Sequence, residues 1–399
     1  MYQWDYFDEE EELHPLTDAN NLYDAFFKAR KGSHWKCQVQ RFRWNLLEQL
    51  GKLQKELINF QHNRKGAYKL SRYSEFIVNE RGKMRAITAL QIRDRVVKHA
   101  LNDLFLLPHI RPKLIYDNGA SLKDKGVSFT RKRLKAHMES YYREVGSNKG
   151  YIMVMDFSGY YDNIDHAEAM KMVCKYEPDE FARRLVEQAL DSYKVDVSYM
   201  NDEEYGRALH EKFSSVDYRR ESHKKTGEKF LHKSLSVGDQ TSQTIAVAFP
   251  TPIDKLVTIV CGYKYYGRYM DDLYVIAETK EELEILRDKI IGKAAEMKII
   301  INPRKTSIMR LDRTFRFLQF KHYLAENGHV VERINPKTLT RMRRKMKKLE
   351  ALIDEGEANA LKIASMFHSW INNFRKYMSK DQIKTVEDRD VWLYQYSVQ

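Results

Sequence analysis

Three aspartates stand out because each adjoins an apolar run. Asp156 closes the stretch Tyr151-Ile152-Met153-Val154-Met155, and Asp271 and Asp272 lie between Tyr269-Met270 and Leu273-Tyr274-Val275-Ile276. An acid next to a buried strand is costly unless a cation neutralises it. Two strands can deliver such acids to one edge of a sheet. Oxygen ligands without His or Cys suit Mg²⁺. Two such ions a few ångströms apart can activate a hydroxyl and stabilise a leaving pyrophosphate. A lone Asp-Asp is more simply a hairpin turn, because Asp favours turns. Here strand-forming residues flank the pair on both sides, which favours the metal reading.

The elements that must position these acids follow from patterning. Residues 151–156 are expected as a buried strand ending in a carboxylate. Lys264–Met270 and Leu273–Ala277 form an expected hairpin with the two acids at its tip. Upstream, residues 20–62 are helical by the spacing of Leu22, Ala25, Phe26 and Ala29, and of Leu46, Leu47, Leu50, Leu53 and Leu57. Phe76, Ile77 and Val78 lead through Glu80-Arg81-Gly82-Lys83 to Met84–Leu90, a β-hairpin carrying Lys83 and Arg85. Helices are expected over 92–106, 166–193, 241–257 and 280–296, with a strand over 298–302. Residues 196–234 are polar, weakly periodic and expected to be an irregular insertion. Basic helices follow over 336–378.

The whole chain of 399 residues carries a formal charge of +13 and is 43% hydrophobic, enough for a core and suggestive of a polyanionic partner. Arg333, Lys337, Arg341, Arg343, Arg344, Lys345, Lys347 and Lys348 follow one another without an intervening acid. Leu339, Met342, Met346 and Leu349 give the same stretch an apolar packing stripe. The opposite face would track phosphates. Cys37, Cys174 and Cys261 have neither metal-site nor disulfide spacing, which points to a reducing, cytoplasmic compartment. The acidic start, with Asp5, Asp8 and Glu9 to Glu12, lacks a signal core, and no apolar run is long enough to span a bilayer.

Several ordered motifs resemble those of reverse transcriptases, over roughly residues 70 to 325. Asp156-Phe157-Ser158-Gly159-Tyr160-Tyr161-Asp162-Asn163-Ile164-Asp165-His166 is similar to the family's first metal-binding motif. Gly238-Asp239-Gln240-Thr241-Ser242-Gln243 resembles the second, and Tyr269-Met270-Asp271-Asp272 the third. Ile301-Asn302-Pro303-Arg304-Lys305-Thr306 resembles the fourth, and Phe317-Leu318-Gln319-Phe320 the primer grip. Lys83-Met84-Arg85 and Asp94-Arg95-Val96-Val97 resemble the fingers of bacterial members.

The resemblance implies an α+β right-hand fold with fingers, an antiparallel-sheet palm and a helical thumb. The expected division is an N-terminal helical extension at 1–65, fingers at 66–150, palm at 151–325 and thumb at 326–399. It implies RNA-directed DNA synthesis with two Mg²⁺ ions, Mn²⁺ being an alternative, held by Asp156, Phe157, Asp271 and Asp272. Lys305 is implied as the acid for the leaving pyrophosphate, with Arg304 beside it as a competing cation. Lys83 and Arg85 would clamp the triphosphate. Phe157, Gly238, Gln243 and Tyr269 are implied to contact substrate. Tyr161, five residues after Asp156, would be the steric gate against a ribose 2′-hydroxyl. Tyr160 is expected in the core, Asp162 and Asp165 as helix caps, and His166 and His99 as structural residues.

Departures bear on biology. Val237 stands where many relatives have Gln, and Gln319 where the grip usually has Gly. The first resembles reverse transcriptases of diversity-generating retroelements, but defence-associated bacterial enzymes share such departures. The expected role is copying a dedicated noncoding RNA into cDNA from dNTPs in antiphage defence. A diversity-generating role is the alternative, and a silent RNA-binding scaffold is a third reading of another class. Oligomerisation, with itself or another chain, stays open. No integrase, maturase or nuclease segment is evident.

Overall fold

The structure, a computed structural model, describes residues 13–80, 82–220 and 225–387. The acidic start, Arg81 of the first expected turn and residues 221–224 of the insertion lie outside the described residues.

Three helices lead the chain: α1 (Ala19–Ala29), α2 (Cys37–Trp44) and α3 (Leu46–Gln61). Asp18 starts α1 by accepting the Asn21 N–H at 2.9 Å, a side-chain cap on otherwise unpaired amides. Leu22, Ala25, Phe26 and Ala29 are buried, as are Leu50, Leu53 and Leu57, so the helical spacing holds. Leu47 departs from it and is 79% exposed. The hairpin follows as β1 (Ser74–Glu80) and β2 (Lys83–Ala89), closing with Glu80 opposite Lys83. Next comes α4 (Ile92–Leu101), prolonged by a π turn at Asn102–Leu106 into α5 (Leu107–Ile110). α1 and α2 pack against α4.

α6 (Val127–Val145) precedes β3 (Tyr151–Asp156). α7 (Tyr160–Asn163), α8 (His166–Tyr176) and α9 (Glu180–Ser192) follow. The described part of the region expected to be irregular forms regular elements. It holds β4 (Val195–Asp196), α10 (Asp202–His210), α11 (Ser215–Arg220) and β5 (Phe230–Leu231), with β4 and β5 paired. Val195, Val197, Phe213 and Leu231 give it a small core of its own. Its apolar residues are few and scattered between turns, so no period shows in the sequence.

The expected helix over 241–257 is broken into α12 (Gln240–Ala248) and α13 (Thr251–Lys255), with Pro250 between them and a π turn at Leu256–Val260 after them. Proline lacks the N–H that would continue the first helix. β6 (Tyr266–Tyr269) and β7 (Asp272–Ala277) form the hairpin, followed by α14 (Lys280–Glu296) and β8 (Ser307–Arg310). No strand forms at 298–302; only Ile301 bridges to Phe157.

β6, β7, β3 and β8 make one antiparallel sheet in that order, with β3 inside it. Alternation assigns its two faces. Ile152, Val154, Tyr274 and Ile276 pack with Leu134, Met138 and Tyr141 of α6. Met153, Met155, Leu273 and Val275 belong to the main core, with α8, α12 and α14. Burial on both faces explains why β3 is a continuous apolar run instead of an alternating one. α6 covers this sheet, so a boundary at 150/151 separates a helix from the strands beneath it.

β9 (Phe315–Phe317), β10 (Phe320–Leu324) and β11 (Val330–Ile334) form a second sheet, and α15 (Pro336–Asp354) and α16 (Ala360–Phe374) a helical pair. A boundary at 325/326 falls in the turn between β10 and β11 and divides that sheet. Leu339 and Met346 are buried with Ile363, Phe367 and Ile371, while Met342, Leu349, Trp370, Phe374 and Tyr377 pack partly buried around them. The whole is the mixed helical and antiparallel-sheet architecture of a right-hand fold. No described helix is long and apolar enough to cross a membrane.

Candidate active site

The site grows from strand register. β3 pairs with β7 so that Asp156 stands opposite Asp272, while Tyr269 of β6 pairs with Asp272 from the other side. Cross-strand partners in an antiparallel pair project to the same face, so the two carboxylates are neighbours. The β6–β7 turn needs Met270 at φ 57°, a backbone shape that side chains disfavour. The turn is tied to β3 by the Phe157 N–H, which donates to the Asp271 carbonyl at 3.2 Å.

The acids feel one another. Burial, then the charge of Asp156, raises the Asp271 pKa. Burial, Asp271 and Asp156 push Asp272 up to about 7. Such a cluster of oxygens, too crowded to be fully ionised alone, is the donor set a hard divalent cation fits. It is not a finished cage. Among the described residues no three His, Cys, Asp or Glu side chains stand in a metal-holding group. Asp156 is otherwise engaged: Lys305 Nζ donates to its Oδ1 at 2.8 Å, and Asn302 Nδ2 to its Oδ2 at 3.1 Å.

Lys305, not Arg304, is the cation that reaches the acids. Burial works to lower its pKa, but the hydrogen bond and charge of Asp156 outweigh it and hold it above the ordinary lysine range. Its side chain is still 60% exposed. Asn302 positions this segment by donating its N–H to the Asp156 carbonyl at 2.8 Å and capping Pro303–Lys305 through the Arg304 N–H.

Lys83 and Arg85 project, exposed, from β2. Lys83 is near enough for its charge to favour ionised Asp271, and Arg85 near enough to act on Tyr161. Arg85 also pairs with Glu80 at 2.7 Å. Tyr161 is largely buried, and burial followed by the Asp271 charge raises its hydroxyl pKa strongly. Tyr160 is buried, with its hydroxyl on the Ala246 carbonyl at 2.6 Å. Asp165 caps α8 through the Glu168 N–H. Asp162 does not cap; it accepts the Ser215 hydroxyl at 2.6 Å. His166 is structural, its Nε2 on the Ser234 carbonyl at 2.7 Å.

Gly238 has φ 108°, a conformation side chains rarely adopt. With exposed Gln243, it lines a cavity of about 270 Å³ beside α4, whose wall also includes His99 and buried Asn102. Tyr269 is half-buried beside the acids, with a pKa raised by burial and then by Asp271 and Asp272.

Two buried ion pairs behind the site were not singled out from sequence. Arg268 is fully buried. It meets Asp254 at 2.7 Å and donates to the carbonyls of Met270 at 3.0 Å and Val247 at 2.9 Å, so it holds the β6–β7 turn. Lys98 of α4 meets Asp239 at 3.4 Å, tying that helix to the Gly238 loop. Burial opposes ionised Asp239, but Lys98 and the hydroxyls of Thr241, Ser242 and Tyr193 hold its pKa below the usual range. The available signal was a charge inside an apolar run, such as Arg268 between Tyr266 and Met270.

A family model for reverse transcriptase (RNA-dependent DNA polymerase) matches residues 74–322. No curated protein matches significantly. Among solved structures, telomerase from Candida albicans, in complex with a TWJ fragment of telomeric RNA, is similar at 12% identity and TM-score 0.45, over 83% of this chain and 61% of that one. Apo telomerase from Candida tropicalis is similar at 11% identity and TM-score 0.42, over 67% of this chain and 49% of that one. This chain therefore spans less than two thirds of either structure's length. Since the family model runs over more than half of the 399 residues, the chain belongs to the reverse transcriptase (RNA-dependent DNA polymerase) family.

Proposed function

We propose that this chain is an RNA-directed DNA polymerase that extends a 3′-hydroxyl with dNTPs. The observation that carries this is the register of Asp156 against Asp272, with Asp271 on the adjoining turn and the pKa values of Asp271 and Asp272 both raised. Asp156, Asp271, Asp272 and Phe157 are the residues assigned to two Mg²⁺ or Mn²⁺ ions. Bound there, the ions would activate the attacking hydroxyl and stabilise the leaving pyrophosphate.

The remaining roles belong to the chain itself. Lys83 and Arg85 would hold the triphosphate from the hairpin, as cations do in phosphoryl transfer. Tyr161 would stand against the sugar and exclude a 2′-hydroxyl. Gly238 lets backbone approach the nucleotide closely, with Gln243 and Tyr269 beside it. Lys305 is protonated and on an exposed stem, so it can leave Asp156 and give a proton to the pyrophosphate. We assign the hairpin and α4 to the fingers, the four-stranded sheet and its helices to the palm, and α15 and α16 to the thumb.

The template proposed is a dedicated noncoding RNA, in antiphage defence and in the cytoplasm. The folded insertion and the exposed cations of α15 support an RNA held by more than the catalytic cleft. Val237 beside Gly238 favours the second reading, a diversity-generating retroelement. Sequencing the cDNA made by the purified chain separates them, because adenine-directed errors belong only to the second. The activity is tested by dNTP incorporation on a primed RNA template with MgCl₂ or MnCl₂. The variants D156A, D271A and D272A are expected to lose about a thousandfold or more while retaining RNA binding. Wild-type protein that incorporates nothing with either metal would end the proposal.

A further inference from the structure

The insertion between α9 and α12 lies along the segment that carries Tyr161. Its incoming arm meets the turn around α7. Asn163 is buried and exchanges hydrogen bonds with the Phe213 backbone: the Phe213 N–H donates to Asn163 Oδ1 at 2.7 Å, and Asn163 Nδ2 donates to the Phe213 carbonyl at 3.0 Å. The same Nδ2 reaches the Gly159 carbonyl at 2.9 Å. The Ser215 hydroxyl donates to Asp162 at 2.6 Å. Gly159 has φ 54°, and a Cβ there would meet Asn163 Nδ2 at 2.9 Å and Lys212 Cε at 3.1 Å, so the arm presses on the turn itself.

The outgoing arm returns to the same segment. The Leu235 N–H donates to the Tyr161 carbonyl at 2.9 Å, and the Ser234 N–H to the Ile164 carbonyl at 3.1 Å. The His166 N–H donates to the His232 carbonyl at 2.9 Å. Between the arms, α11 packs against β2, the strand of Lys83 and Arg85. The insertion thus touches both walls of the space that Tyr161 and Arg85 share.

We propose that this insertion is a brace that fixes the position of Tyr161, and that Asn163, Asp162 and Ser215 are positioning residues for sugar discrimination. A gate works by steric contact with one extra oxygen. Small displacements of its ring change that contact more than they change binding of the triphosphate. A polar clamp on both sides of Tyr161 limits such displacement, because a buried hydrogen-bonded pair resists leaving either partner unsatisfied. The inference rests on the reading of Tyr161 as the gate.

The test measures kcat/KM for one dNTP and for the matching rNTP, using the full chain and a DNA primer on a heteropolymeric RNA template. S215A, S215T, N163D and Y161A are compared with wild type. S215A and N163D are expected to lower the dNTP-to-rNTP ratio by about threefold to tenfold, and S215T to restore it. Thermal midpoints are recorded alongside; a merely structural role lowers them without moving the ratio. If N163D does not fold, S215A and S215T decide alone. Ratios within about twofold of wild type for S215A and N163D, with a collapsed ratio for Y161A, overturn the brace. An unchanged ratio in Y161A as well removes the gate and the brace together, while dNTP incorporation still reports separately on the polymerase reading.

Discussion

Asp272 is the residue where fold and chemistry oppose each other most directly. Its pKa is pushed up to about 7 by burial, Asp271 and Asp156. An unfolded chain would ionise it near its ordinary value, so between about pH 4 and pH 7 the folded state binds more protons than the unfolded one. Stability from this group is therefore present at low pH and lost as pH rises through that window. Metal-free D272N is expected to be more stable than wild type at pH 8, by about 1–3 kcal/mol, and nearly equal to it at pH 4. Urea midpoints at the two pH values, in EDTA, check this; a variant no more stable at pH 8 would show the acids are not crowded. A second strained residue is Gln319. The β9–β10 turn puts Leu318 at φ 44° and Gln319 at φ 72°, with Phe317 paired to Phe320 across it. A two-residue hairpin of this hand favours glycine. Q319G should therefore stabilise the fold by about 1 kcal/mol, read as a raised denaturation midpoint.

At the scale of elements, the β6–β7 turn depends on a side chain outside it. Arg268 and Asp254 are fully buried and paired, and Arg268 also holds the Met270 carbonyl. Removing one member leaves the other charged and alone in the interior. R268M is expected to cost about 3–5 kcal/mol and to cut nucleotide incorporation even where the protein remains folded. R268K should not rescue it, because one ammonium cannot reproduce the fork that serves Asp254, Met270 and Val247 together. Denaturation curves and incorporation rates on the same preparations test both statements. Full activity in R268K would show that charge alone suffices.

For the whole molecule, the charge of +13 is distributed unevenly. The α15 stretch keeps Lys337, Arg341, Arg343, Arg344, Lys345, Lys347 and Lys348 exposed while Leu339 and Met346 face its core. Such a helix face would bind a nucleic-acid backbone by releasing counterions. Replacing Arg344, Lys345 and Lys348 with Gln is expected to weaken binding of a primed RNA template. The slope of log K against log salt should shrink by about 0.7–0.9 for each phosphate that is no longer neutralised. Fluorescence anisotropy across a salt series measures that slope; an unchanged slope would place the nucleic acid elsewhere.

The sequence by itself marked β1, β2, β3, β6 and β7, with Asp156 closing β3 and Asp271 and Asp272 at the β6–β7 turn; it did not mark β8 to β11, and the strand expected at 298–302 does not form. Asp156, Asp271 and Asp272 were legible because an acid beside a run of β-forming apolar residues has few structural uses. α1, α3 and the stripe of α15 were legible from local periodicity, which needs no distant partner. Leu47 broke that rule because which side of a helix is covered depends on neighbours far along the chain. Only tertiary structure decided that Asp156 stands opposite Asp272, since register is a long-range pairing. It also decided that Lys305 and not Arg304 reaches the acids, and that Asp162 serves Ser215 instead of a helix end. The elements described within 196–234 were hidden for the same reason: they are held by bonds between distant residues, such as Val195 paired with Leu231 and Phe213 with Asn163, and such contacts leave no period in either segment.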